Sequence, residues 1–293
     1  MDDDGPTMLR VPSTGGVELA VHDLGGPPSH TAPVVLFAHA TGLNARVWEP
    51  MAAALRDRFS CLAVDFRGHG LSELPEGADV EWPRMGEDVE AVLCSELIAP
   101  EQPVHGVGHS MGGAALVLAA SATGPRLRSL WLYEPIIAGP GLMPATGGDN
   151  PLAEGALRRR ASFPSYEAAY ENYSSKPPLN ELAPDALWGY VLGGFAEQPD
   201  GTVTLRCTPS TEAAVFRAAP ASGAWDVAAT LTQPTEVVSG REEAFGPGSY
   251  APLLVAELAN ARLLERGDLG HFGPLEDPGG LALDVEHWID SNS

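Results

Sequence analysis

Five apolar residues stand in a row at Val34-Val35-Leu36-Phe37-Ala38, with no polar position to mark a solvent face. That length and texture predict a strand covered on both sides within a parallel sheet. Strand-like stretches, less uniformly apolar, recur at Cys61 to Asp65, Val104 to Gly108, Arg128 to Tyr133, Thr235 to Ser239 and Ala261 to Leu264. An earlier strand is predicted at Val17 to Val21, closed by the Gly25-Gly26-Pro27-Pro28 loop. Between these runs the pattern turns helical at Val47 to Arg58, Met85 to Ile98, Met111 to Ala122 and, last, Leu281 to Ile289. Strand and helix alternating in this way predict an α/β fold, with a mostly parallel central sheet and helices on both faces.

The rhythm breaks after the strand predicted at Arg128 to Tyr133. From residue 139 to 231 the chain carries proline, the run Arg158-Arg159-Arg160, four of its six Tyr and two of its six Trp. Helical segments at Ser165 to Tyr173 and Ala186 to Phe195 fit this stretch better than strands. The expected organisation is a core in two parts, 1–138 and 232–293, with a helical cap at 139–231 inserted after the sixth strand.

Composition narrows the possible partners. The 293 residues hold 17 Lys plus Arg against 39 Asp plus Glu, a formal charge of −22. No basic field exists to grip a nucleic-acid backbone or an anionic membrane. Lys176 is the single lysine. Cys61, Cys94 and Cys207 are widely spaced and form no ligand pattern, so neither a metal site nor a disulfide frame is expected. The apolar stretch Ala114 to Ala120 is too short to cross a bilayer, and the acidic N-terminus has no apolar run behind it. A cytoplasmic protein acting on a small-molecule substrate is the expectation.

Candidate chemistry centres on Gly108-His109-Ser110-Met111-Gly112. It follows an apolar strand and opens a small-residue helix, the context of a nucleophile elbow. A serine on that tight turn needs glycine on either side, because a side chain there meets the neighbouring strand or helix. Three further stretches accompany it: Phe37-Ala38-His39-Ala40-Thr41-Gly42, Asp65-Phe66-Arg67-Gly68-His69-Gly70-Leu71-Ser72 and Gly270-His271-Phe272-Gly273-Pro274. In this order and over nearly its whole length, the chain resembles the α/β-hydrolase superfamily. It departs from the usual pattern at Ala40, where glycine is common.

The resemblance implies Ser110 as nucleophile, His271 as general base, and an oxyanion hole from the backbone N–H groups of Thr41 and Met111. His39 and His69 fall in loops where the resemblance makes histidine structural, and His109 is expected to point away from the serine. The acid has two candidates. Family members commonly carry it in a Gly-x-x-Asp turn after the seventh strand, which here reads Gly240-Arg241-Glu242-Glu243 and offers Glu243. A minority carry it after the sixth strand, where Glu134 ends an apolar run. Glu134 is favoured, since a carboxylate there costs free energy unless it is paired.

These features imply cofactor-independent hydrolysis of an ester, thioester or lactone of a small, largely apolar substrate through an acyl-serine. Carbon–carbon bond hydrolysis, acyl-enzyme cyclisation, a small-ligand receptor and an interaction scaffold are the competing readings. Trp48 and Trp188 are candidates to line the substrate pocket, with the core as the alternative for both. The arginine run reads first as a solvated helix face and second as a grip for a carboxylate or phosphate.

Overall fold

A computed structural model describes residues 6–28, 30–142, 150–241 and 246–292. An antiparallel pair opens the chain, β1 (Thr7–Pro12) with β2 (Glu18–Asp23). Next come β3 (Val34–Ala38), α1 (Glu49–Leu55), β4 (Ser60–Asp65), α2 (Trp82–Leu93), β5 (Val104–His109), α3 (Met111–Thr123) and β6 (Leu127–Tyr133). The chain then leaves the sheet and builds a cap. The cap holds α4 (Pro151–Leu157), β7 (Ser162–Phe163), α5 (Tyr166–Ser174), α6 (Pro184–Gly194), β8 (Phe195–Glu197), β9 (Val203–Leu205), α7 (Pro209–Ala218) and α8 (Ala224–Ala228). It returns through β10 (Thr235–Ser239), α9 (Ala251–Glu257), β11 (Ala261–Glu265), α10 (Gly273–Glu276) and α11 (Pro278–Asp290).

The central sheet has eight strands in the order β1-β2-β4-β3-β5-β6-β10-β11. β2 meets β4 antiparallel, and every pairing from β4 to β11 is parallel. All residues of β3, β4 and β5 are buried, as unbroken apolar runs require of strands covered on both faces. One apolar cluster fills the face under α2, α3, α8 and α9, and includes Met85, Leu116, Ala224 and Leu254. The other lies under α1 and α11 and runs on into the cap, joining Met51 and Val285 to Leu187 of α6.

Two features differ from the sequence expectation. β1 was not predicted; as an edge strand with a single buried residue it carries no apolar run to reveal it. The cap is not wholly helical either. β7, β9 and β8 form a small antiparallel sheet of two- and three-residue strands, too short for any periodicity to register.

Glycine seats the cap on the core. A Cβ on Gly189 of α6 would lie 2.4 Å from the Arg46 carbonyl oxygen, and one on Gly193 would lie 2.1 Å from Asn44 Oδ1. Without those side chains α6 rests on the short 3-10 turn Ala45–Trp48, and Asn44 Nδ2 donates to the Tyr190 carbonyl at 3.0 Å. The loop that leaves β3 is thereby clamped between sheet and cap. Among the described residues, no helix is long and apolar enough to cross a membrane.

Candidate active site

Ser110 sits between β5 and α3 with φ 55° and ψ −116°, outside the helical and extended regions open to ordinary side chains. Three close approaches enforce that turn. A Cβ on Gly112 would lie 2.1 Å from the Ala38 carbonyl oxygen, one on Gly113 2.7 Å from Pro135, and one on Gly108 2.8 Å from the Gly113 backbone. The Ser110 N–H donates to the Tyr133 carbonyl at 3.0 Å, and its own carbonyl accepts from Gly113, Ala114 and Ile136. The elbow is thus locked to the end of β6.

Glu134 follows directly from β6, and its φ is 40°. Among the described residues, Ser110 and Glu134 are the non-glycine positions with positive φ. Backbone strain of this kind persists only where its surroundings over-determine it. Here the Glu134 N–H donates to Val238 O at 2.8 Å, Gly240 N–H donates to Oε1 at 2.8 Å, and His271 Nδ1 lies 2.6 Å from Oε2. The buried carboxylate is therefore answered on both oxygens, which meets the cost of its burial. Glu243 lies outside the described residues.

Two residues that sequence reasoning missed hold the His271 loop. Tyr133 O–H donates to the Gly270 carbonyl at 2.7 Å, and Gly270 N–H donates to Glu276 Oε2 at 2.9 Å. Burial pushes the Tyr133 phenol up, so it remains a donor. His109 is a third. Its buried ring packs on the His271 ring at 4.8 Å between centroids, and on Tyr133 and Phe272. Burial first, and His271 beside it, push the His109 imidazole well below its ordinary value, so a neutral ring supports the candidate base. The Ser110 hydroxyl forms no hydrogen bond with His271 among the described contacts. Such bonds are commonly loose before substrate binds.

Thr41 and Met111 lie against each other, Thr41 Oγ1 reaching Met111 Sδ at 3.4 Å. Among the described residues neither backbone N–H meets a protein acceptor, leaving two free donors beside the elbow. The loop bearing Thr41 is braced by two neutral histidines. His39 Nδ1–H donates to the Ala40 carbonyl at 2.8 Å while Nε2 accepts from Phe66 N–H at 3.2 Å. His69 Nδ1–H donates to the Arg67 carbonyl at 3.0 Å while Nε2 accepts from Gly42 N–H at 3.1 Å. Burial lowers both, His39 to about 3 with help from His69. Ala40 has no positive φ, so its methyl is accommodated without strain.

Asp65 locks the neighbouring turn. Its carboxylate takes the N–H groups of Ala45 at 2.7 Å and Leu71 at 2.8 Å, with His22 Nε2 at 2.8 Å. Burial raises this carboxyl, but these hydrogen bonds prevail and hold it below its ordinary range. Arg67 is buried against Asp88 at 2.6 Å.

A cleft of about 320 Å³ opens beside Thr41 and Gly42, with Phe272 on the base side. Its remaining wall comes from the cap, including Tyr173 and Tyr190. Trp48 is not part of it. That ring is 0% exposed and stacks on Phe37 at 5.1 Å, so it fills the core under β3. Trp188 is not among the lining residues either; it stacks on Tyr170 at 4.3 Å and belongs to the cap's own packing. The arginine run is also not a helix face. It follows α4, leaving Arg158 and Arg160 exposed while Arg159 turns into the cleft.

Comparison with known proteins matches residues 35–285 to a profile described as Alpha/beta hydrolase family. Over 116 residues the chain is 34% identical to 2-(acetamidomethylene)succinate hydrolase of Mesorhizobium japonicum, covering 40% of this chain and 38% of that protein. Over 105 residues it is 31% identical to 3-oxoadipate enol-lactonase 1 of Acinetobacter baylyi, covering 36% of each. The matched stretch thus spans little more than a third of either relative. The crystal structure of E-2-(acetamidomethylene)succinate hydrolase superposes with a TM-score of 0.75 at 22% identity, over 97% of this chain and 99% of that one.

Proposed function

Because the chain belongs to the alpha/beta hydrolase family, we propose that it is a cofactor-independent serine hydrolase of a small ester, thioester or lactone. The observation that carries this reading is the pairing of two strained positions, Ser110 and Glu134, the second tied to His271 at 2.6 Å. With Nδ1–H given to Glu134, His271 keeps Nε2 as a proton acceptor. Ser110 Oγ passes its proton to Nε2 and bonds to the carbonyl carbon. The resulting oxyanion takes hydrogen bonds from the Thr41 and Met111 N–H groups. The bond to the leaving oxygen or sulfur breaks as His271 returns the proton to it. Water then repeats the sequence on the acyl-serine and releases a carboxylic acid and Ser110.

The substrate is small on this reading, since a cleft of about 320 Å³ lies near the lower end of ligand-site volumes. Hydrolysis of p-nitrophenyl esters, run beside labelling with a fluorophosphonate probe, tests the proposal. Wild type is expected to turn over and to be labelled, and Ser110→Ala to lose both. A wild type that does neither overturns the reading in favour of a ligand-binding protein.

A further inference from the structure

The cleft carries charge that hydrolysis alone does not require. Arg159 is only 20% exposed in its side chain, and it forms an ion pair with the buried Glu212. Its other terminal nitrogen meets the hydroxyls of Tyr173 and Tyr190. Among the described contacts its Nε–H has no acceptor. Gly42, at φ 76°, gives Glu212 room, because a Cβ there would lie 2.5 Å from Oε1. The cap pair is thereby pressed against the loop that bears Thr41.

Lys176 lies on the same cleft. Its ammonium bonds Asn172 Oδ1 at 2.7 Å, and among the described residues no carboxylate lies within ion-pair distance. Glu212 offsets Arg159, so Lys176 leaves one positive charge unmatched in the cleft. The rest of the chain is strongly acidic, at −22 overall, and this is its single lysine. Lys176 is solvent-exposed, and with Arg159 paired to Glu212 it leaves the cleft lining with a net positive charge beside the oxyanion loop.

We propose that the acyl part of the substrate bears a free carboxylate, held by Lys176 and the Arg159–Tyr173–Tyr190 donor cluster while the scissile carbonyl faces Thr41 and Met111. The inference rests on the serine-hydrolase reading and names its substrate class, a half-ester or lactone of a small dicarboxylic acid. A single unmatched charge suits a carboxylate better than a doubly charged phosphate. The donor set suits it also: guanidinium, ammonium and phenol each donate to carboxylate oxygens. Arg159 keeps Glu212 as its permanent partner, so the free site does not hold a lone buried cation.

The test compares p-nitrophenyl hemiglutarate with neutral p-nitrophenyl pentanoate, two substrates sharing a leaving group and differing at the far end of the acyl chain. Wild type is expected to favour the hemiglutarate in kcat/KM by about tenfold or more. Lys176→Glu is expected to lower that ratio at least tenfold, chiefly through KM. The double variant Arg159→Gln with Glu212→Gln removes both charges together, avoids stranding a buried carboxylate, and is expected to lower the ratio as well. A ratio near one in wild type, or one unmoved by either change, overturns the inference even where esters are hydrolysed. If neither ester reacts and Ser110 resists the fluorophosphonate, the serine-hydrolase reading fails on its own account. The cleft is then judged by thermal melting. A rise with glutarate but not with pentanoate, lost in Lys176→Glu, upholds the anion site, and no rise sinks it.

Discussion

A carboxylate that ends an apolar strand has to be answered by something, and Glu134 is answered twice, by Gly240 N–H and by His271 Nδ1. Removing its charge while keeping its shape leaves a histidine free to take the wrong tautomer. Glu134→Gln is therefore expected to lower kcat by roughly a hundred- to ten-thousand-fold, with little change in KM. Glu243→Gln is expected to stay within a few-fold of wild type in the same steady-state assay, and the reverse ranking would reassign the acid. At this scale the sequence is legible wherever chemistry restricts residue type. The glycines around Ser110, the loop of His271 and the misplaced polarity of Glu134 each leave a trace. Tyr133, His109 and Glu276 leave none, because a phenol, an imidazole and a carboxylate that steady a loop look like ordinary residues until the fold brings them there. Trp48 and Trp188 show the opposite failure: large rings fit a pocket wall and a core equally well, and only packing decides.

Elements meet here through missing side chains. Gly189→Ala would put a methyl 2.4 Å from the Arg46 carbonyl oxygen, a backbone atom that cannot swing aside. The change is expected to destabilise the fold by about 1–3 kcal/mol, read as a lower denaturant midpoint. Faster hydrogen exchange across Asn44 to Trp48 is expected to accompany it, because α6 is what holds that turn down. Equal exchange in variant and wild type would show the cap to be a bystander to the oxyanion loop. The main alternation was readable because parallel strands bury both faces and so write continuous apolar runs. The cap was readable only as an interruption. Its two- and three-residue strands gain their order from tertiary contacts, which no local pattern records.

Across the whole molecule, buried neutral histidines link stability to acidity. His39 is held to about 3 by burial and His69, and His105 to about 4 by burial and Arg128. The unfolded chain protonates these rings near pH 6.5 while the folded chain does not, so stability is intact above that value and falls as pH drops towards 4 and 3. For His39 alone the loss reaches about 2 kcal/mol by pH 5. Denaturant midpoints between pH 7 and 4 are expected to fall, and His39→Gln to flatten the slope by about one proton; an unchanged slope would show that His39 does not contribute. The alternation of the core and its mostly parallel sheet were legible, with four motifs marking four strand ends, whereas the cleft was not, since it is built from residues far apart along the chain. β6 gathers much of the site at one strand end: it accepts the Ser110 N–H, anchors Gly270 through Tyr133 and hands Glu134 to His271. On the proposed triad the turn after β10 gives Glu134 the N–H of Gly240 and is released from supplying a carboxylate of its own. On the same reading, a search pattern that demands aspartate in that turn would miss the acid of this chain, which lies one strand away at the end of β6.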